Sequence, residues 1–273
     1  MRSVAFLTAA LLFVAAPALA DWDLGDGHKM HFPQLPDPGG WDVYSTYYET
    51  VSDDWQCSGT GFVEDIHFWG SWKDDAVGAI DFFHVGIWSD DPVGDQGIPG
   101  EDPVNTYSKP MQRLWHEDFY SAQSEITSRL WGGPSQQGWL DPRQDPDVFI
   151  PNNHQNTYQY NLYPDGSNEG GLLFEQQEGT VYWLEVSAKL VGFEPPERWG
   201  WKTADTSTYP APYTGNHFMD DGIWAHTLPN NVWMDPLEDE SGNSLDLAFV
   251  ITPEPATLSL LALGGIALIR RRR

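Results

Sequence analysis

Hard oxygen ligands gather in the stretch Ser89 to Asn105, where Asp90, Asp91, Asp95, Glu101 and Asp102 stand among Gly and Pro with no Lys or Arg. Carboxylates on a turn-rich loop suit Ca2+, which takes roughly six to eight oxygens in adaptable geometry. The plainer reading is charge that keeps the chain soluble, and the stretch matches no defined calcium motif. The opening Asp21, Asp23, Asp26, Gly27 is similar in flavour. It departs from the EF-hand pattern because Gly25 stands where the third ligand belongs.

Fourteen tryptophans, all between Trp22 and Trp233, are the second chemical resource. An indole offers a broad apolar face for the C–H face of a sugar ring and an N–H to spare. Exposed on a sandwich beside Asp, Asn or Gln, such rings would make a carbohydrate-binding surface. Equally, large aromatics fill a core that has neither disulfides nor helices, and most of the fourteen are expected there. Trp131 and Trp139, in a polar Gly/Gln/Pro-rich stretch, and Trp233, within Pro229 to Pro236, are the candidate ligand-facing exceptions.

The eight histidines are scattered. His28 and His31 lack a helix to place both imidazoles on one face, and no H-E-x-x-H occurs. There is no G-x-S-x-G elbow, no Walker loop and no G-x-G-x-x-G following a strand. A glycosidase needs two carboxylates at a suitable separation. With this many acids the sequence nominates no pair, so no catalytic residue is assigned.

The elements that would position these groups read as strands. In Thr180 to Leu190 the residues Tyr182, Leu184, Val186, Ala188 and Leu190 form an unbroken apolar face opposite a mixed one. This period of two marks a sheet with one side on a core. Similar alternation covers Phe62 to Trp69, Ala79 to Trp88 and Leu245 to Ile251, with weaker candidates at Val43–Thr50, Gln112–Tyr120, Tyr158–Tyr163, Arg198–Lys202 and Gly222–His226. Ser121 to Leu130 is the best short helix candidate. Asp21 to Gly40 is aperiodic and reads as an extended segment lying against the body. With 21 prolines and 26 glycines for turns, the pattern predicts an all-β chain of about ten strands. A two-sheet β-sandwich with a Trp-rich core, jelly-roll-like, is favoured over a closed barrel. Two short echoes, Trp69-Gly70-Ser71-Trp72-Lys73 with Trp199-Gly200-Trp201-Lys202 and Gly86-Ile87-Trp88 with Gly222-Ile223-Trp224, reflect either a duplicated half or shared strand chemistry.

Charge and cysteine usage bound the partners. The whole chain is formally −26. Without Arg2 and Arg270 to Arg273 the 14 basic residues fall to nine, and without Glu254 the 40 acidic ones fall to 39, so the body Asp21 to Thr252 carries −30. That charge opposes nucleic acid and anionic lipid headgroups. The single Cys57 permits no intrachain disulfide. It is expected to be a buried, inert thiol.

Both ends read as export signals. Arg2, the apolar run Val4 to Ala16 and Ala18-Leu19-Ala20 make a signal peptide over residues 1–20, with Ala18 and Ala20 as the small residues that signal peptidase reads. At the other end, residues 253–273 comprise Pro253-Glu254-Pro255, an apolar run from Ala256 to Ile269, and Arg270 to Arg273. The prolines keep the triplet extended and reachable, and the arginines resist crossing a bilayer. The apolar run has 14 residues, about 21 Å of helix, short for a permanent transmembrane helix. The layout resembles the PEP-CTERM sorting signal. That resemblance implies an exosortase as the processing partner, transient residence in the inner membrane, and delivery to the cell envelope, cell surface or extracellular matrix.

The body also resembles secreted proteins of PEP-CTERM-bearing, planctomycete-like bacteria. The words that carry this are Asp21-Trp22-Asp23, His28 through Pro38, Asp53-Asp54-Trp55-Gln56-Cys57, Ile66 through Trp72, Gly200-Trp201-Lys202-Thr203 and Asp246 through Thr252. It brings no catalytic residues. The resulting expectation is an exported, strongly acidic, non-catalytic structural protein. A carbohydrate-binding module that contacts extracellular polysaccharide through exposed Trp is the alternative, and a glycoside-processing enzyme the third.

Overall fold

The computed structural model describes residues 21–94, 107–123, 125–166, 172–192, 195–226 and 232–252. Within them the chain forms strands β1 (Trp41–Tyr44), β2 (Glu49–Gln56), β3 (Gly61–Phe62), β4 (Ile66–Trp72), β5 (Ile80–Asp91), β6 (Lys109–Tyr120), β7 (Ile126–Trp131) and β8 (Gln137–Asp141). It continues with β9 (Val148–His154), β10 (Thr157–Leu162), β11 (Glu175–Gln176), β12 (Val181–Leu190), β13 (Trp199–Lys202), β14 (Ile223–His226), β15 (Val232–Pro236) and β16 (Phe249–Ile251). Short 3-10 turns at Lys73–Asp75, Ser121–Gln123 and Thr206–Thr208 are the helical elements among the described residues. None is long and apolar enough to cross a membrane. The apolar run Ala256 to Ile269 lies outside the described residues.

The fold is an all-β sandwich. An eight-stranded sheet runs β7-β10-β4-β13-β1-β8-β9, with β16 added on β4. β13 pairs with Gly70 to Trp72 of β4 and β16 with Ile66 to Phe68. β1 and β8 are parallel, while the other pairs in this sheet are antiparallel. The second sheet, of six strands, runs β15-β14-β2-β12-β5-β6, all antiparallel. A third sheet is the two-stranded pair β3 and β11.

Inward side chains of the two large sheets interdigitate as aromatic pairs. Phe83 of β5 meets Phe68 of β4 edge-on at 5.0 Å and Trp199 of β13 at 5.0 Å, and Trp55 of β2 meets Phe249 of β16 at 6.1 Å. Edge-to-face contacts are the arrangement aromatic quadrupoles prefer. Ile66, Val85, Ile87, Leu184, Val186 and Trp201 complete a fully buried interior.

Two expectations change. Ser121 to Leu130 is not a helix: after one 3-10 turn, Ile126 to Trp131 pairs in register with β10, Ile126 opposite Leu162 and Trp131 opposite Thr157. Sixteen strands stand among the described residues where about ten are expected, because several are polar and leave no alternation to read. The opening segment does lie on the body. Trp22 packs on Trp69 at 6.0 Å, and the Trp22 carbonyl accepts from Gln159 and Arg129 at 2.8 Å.

Candidate functional site

Every one of the fourteen tryptophans is buried or half-buried, and none is exposed. Trp139, central in β8 between β1 and β9, is 1 % exposed. No sugar ring can reach it, which corrects its expected place in a polar loop. Trp131 is half-buried at the end of β7, edge-on to Trp69 at 5.2 Å and under the Arg129 guanidinium at 5.2 Å. Trp233, on β15, is half-buried and edge-on to Trp88 at 5.6 Å. These last two sit in different sheets, so the three rings do not form one platform.

Of the acidic stretch, Asp90 and Asp91 close β5. Asp90 Oδ1 accepts from the Trp183 indole at 2.8 Å, and burial, with Asp220 and Asp91 nearby, raises its pKa. Asp91 is 2 % exposed. Asp95, Glu101 and Asp102 lie outside the described residues, as do Ala18, Ala20, Pro253, Glu254 and Pro255. Among the described residues no three His, Cys, Asp or Glu side chains already converge closely enough to hold a metal ion. Cys57 is buried, its thiol donates to the Gly59 carbonyl, and burial raises its pKa.

On the outer face of the six-stranded sheet, β5 and β6 bring His84 Nδ1 within 2.6 Å of Asp118 Oδ1. Burial lowers the His84 pKa, but the Asp118 hydrogen bond and the charges of Glu185 and Asp118 outweigh it and the net shift is upward. Glu185 itself accepts from the Trp88 indole at 2.6 Å. Ser187 stands opposite His84 in register, yet its hydroxyl is buried and makes no hydrogen bond. Ser187 and His84 therefore do not stand as a hydrogen-bonded nucleophile–base pair.

The feature sequence reading missed is a line of buried carboxylates. β2 turns Val51, Asp53 and Trp55 inward. Asp53 Oδ2 accepts from the Leu247 amide at 2.6 Å and the Gln34 amide at 3.2 Å. Asp54, next along, is fully buried, and among the described residues neither oxygen has a hydrogen-bond partner. Asp246 Oδ2 accepts from the Phe218 amide at 2.9 Å, while Oδ1 has no hydrogen bond of sound geometry, although the Tyr209 hydroxyl and Gln34 amide face it. Among the described residues none of the three is in an ion pair. Burial first, and then neighbouring carboxylates, push Asp53 and Asp54 well above the usual range; burial carries Asp246 to about 7.

Asp246 lines an open cleft of about 660 Å³. Asp37, Asp205, Asp221, Glu238 and Asp239 also line it, with no Lys or Arg. Several of these acids fasten their own loops: Asp239 Oδ1 accepts from the Ser241 and Asn243 amides at 2.7 and 2.9 Å, and Asp37 Oδ1 from the Gly39 amide at 2.8 Å. Asp221 Oδ1 accepts from the Ser244 hydroxyl and lies 3.5 Å from His217 Nδ1. The only signal for this site in the sequence is the excess of Asp over Lys and Arg around residues 220–246.

Comparison with known proteins bears on both parts of the chain. Residues 252–273 match the PEP-CTERM protein-sorting motif, so the chain is an exported, envelope-associated protein processed by an exosortase. No curated protein and no solved structure matches. Residues 30–252, which span the sandwich, match the model of a domain of unknown function (DUF7901), and the chain belongs to that family.

Proposed function

We propose that the exported body is a non-catalytic structural component of the cell surface or extracellular matrix. The observation that carries this reading is where the aromatic residues go: the indoles build the interior and its flanks, ten of them buried and the other four half-buried. A carbohydrate-binding face needs exposed, mutually aligned rings. Extracellular polysaccharide is on this reading the surrounding medium. Removal of residues 1–20 by signal peptidase fits the anchoring of Asp21, whose carboxylate accepts from Asn161 Nδ2 at 2.8 Å and lies 3.4 Å from Arg129. The likeness to planctomycete-like secreted proteins carries no part of the proposal.

A glycan array probed with the purified protein, with and without Ca2+, tests it. The expected result is no saccharide retained above background. Selective retention of one glycan, abolished by Trp131→Ala or Trp233→Ala, would overturn the structural reading in favour of a carbohydrate-binding module.

A further inference from the structure

We infer that the exosortase seats against one rim of the sandwich, the rim where β4 begins and β10 and β16 end, with Leu24, Lys29 and Phe62 in the contact. The last strand holds to its end. Ile251 pairs with Ile66, and Thr252 is buried with its amide on the Asp65 carbonyl at 3.2 Å. Pro253, which has no N–H to continue the ladder, is the next residue. The apolar run begins at Ala256. From Thr252 to Ala256 the chain advances four residues, at most about 14 Å when fully extended. An enzyme that closes on Pro253-Glu254-Pro255 holds an extended peptide over several residues. With the sandwich at one end of so short a tether and the bilayer at the other, the enzyme meets the rim whenever it takes hold of the triplet.

The start of the body lies on the same rim. Asp21 accepts from Asn161 Nδ2 at 2.8 Å, Asn161 Oδ1 lies 2.6 Å from His67 Nδ1, and His67 Nε2 lies 3.1 Å from Asp65. The segment that begins at Asp21 reaches the last strand at Lys29, whose amide donates to the Ile251 carbonyl at 2.7 Å. Between these points Leu24, in the turn closed by the Asp26 amide on the Asp23 carbonyl, is 71 % exposed. Phe62 is 42 % exposed, and its carbonyl accepts from the Lys29 ammonium at 3.3 Å. Two apolar side chains and a cation thus stand by the exit, on a body whose −30 charge opposes anionic lipid headgroups. A protein surface suits these groups better than a bilayer, and the membrane-held enzyme is the protein that the tether brings to them.

The rate at which the full-length chain is trimmed, followed by mass spectrometry of envelope material at timed intervals, tests the assignment. Leu24→Asp with Phe62→Asp should slow trimming at least about fivefold and leave Tm unchanged. The control places the same two charges on the exposed Val77 and Val191, near Trp72 at the opposite end of β4. Val77→Asp with Val191→Asp should leave the rate unaltered. An insertion of about ten Gly and Ser residues between Thr252 and Pro253 frees the enzyme from the rim, so in that chain the Leu24 and Phe62 substitutions should have no effect. A native rate in the rim variant would overturn the inference. Equal slowing by the control pair would do the same, by making charge the cause, and so would equal slowing through the spacer, by making folding or export the cause. Repeated with solubilised exosortase and full-length chain in detergent, the slowing should persist; if it vanishes without a bilayer, the rim rests on lipid and the enzyme contact is wrong.

Discussion

Asp54 and Asp42 are both fully buried, and their surroundings drive them in opposite directions. Asp42 Oδ2 meets His154 Nε2 at 2.7 Å and Lys202 Nζ at 3.1 Å, all three side chains being buried. Burial raises the Asp42 pKa, but the Lys202 charge and the His154 hydrogen bond outweigh it and the net shift is downward. Its contribution is present above the unfolded value of about 3.9 and is lost as pH falls through the folded one. Lys202→Met would leave the buried carboxylate with His154 as its remaining side-chain partner and is expected to cost about 3–5 kcal/mol in urea denaturation at neutral pH. Asp54 has no such partner and is raised by burial and then by Asp53. In the folded state it keeps its proton over a range where the unfolded chain has released it. Stability from this group is fully present below about pH 4 and declines as pH rises toward the folded pKa, by at most about 1.4 kcal/mol per pH unit. Asp54→Asn should flatten the fall in Tm above pH 4 and leave the protein more stable than the native chain at alkaline pH. An unchanged pH profile would show that Asp54 is ionised and paired in solution.

At the level of strands, β4 and β13 explain the echo of Trp-Gly words. They are antiparallel neighbours, with Trp201 opposite Gly70 and Gly200 opposite Ser71. A Cβ on Gly70 would stand 2.3 Å from the Trp199 ring and 2.5 Å from the Gly200 carbonyl; one on Gly200 would stand 2.9 Å from the Trp139 ring. Each glycine makes room for an indole from another strand, so shared packing chemistry accounts for the repeated word. Gly70→Ala should therefore destabilise the sandwich by about 1–3 kcal/mol through overpacking, seen as a lower denaturant midpoint with an unchanged slope. The same level explains what could be read in advance. β12 and β5 alternate apolar with mixed residues in sequence, which makes them legible as strands, although β12 is buried on both faces. β2 carries the polar run Ser52-Asp53-Asp54 yet is buried almost throughout, and acids inside a strand look like solvated loop. β8, β9 and β15 sit in Gly-, Asn- and Pro-rich sequence that reads as turn. The carboxylate line was invisible for a related reason: Asp53, Asp54 and Asp246 are brought together by the contact of β2 with the Leu245–Leu247 segment, nearly two hundred residues away.

For the whole molecule, the hydrogen-bonded fold coincides with the part the export machinery would leave behind. At its start Asp21 and Asp23 are tied to Arg129 and Asn161. At its end β16 pairs with β4, and the Thr252 amide donates to the Asp65 carbonyl at 3.2 Å. Pro253 follows directly. Processing at the Pro-Glu-Pro triplet, and removal of residues 1–20 on the proposed reading, would leave all of these bonds in place. It would also remove Arg2, Glu254 and the four terminal arginines, deepening the charge from −26 to −30, a charge at which neighbouring copies repel one another. Sorting and folding should accordingly be separable. Glu254→Ala is expected to block exosortase processing, so that mass spectrometry of envelope material finds chains still ending in Arg270 to Arg273. The native chain in the same material should end before Ala256. Melting curves of the two should coincide once detergent is matched. Normal trimming of the Glu254→Ala chain would remove the triplet from its assigned role, whereas a lowered Tm in the trimmed native protein would mean that the tail contributes to the sandwich itself.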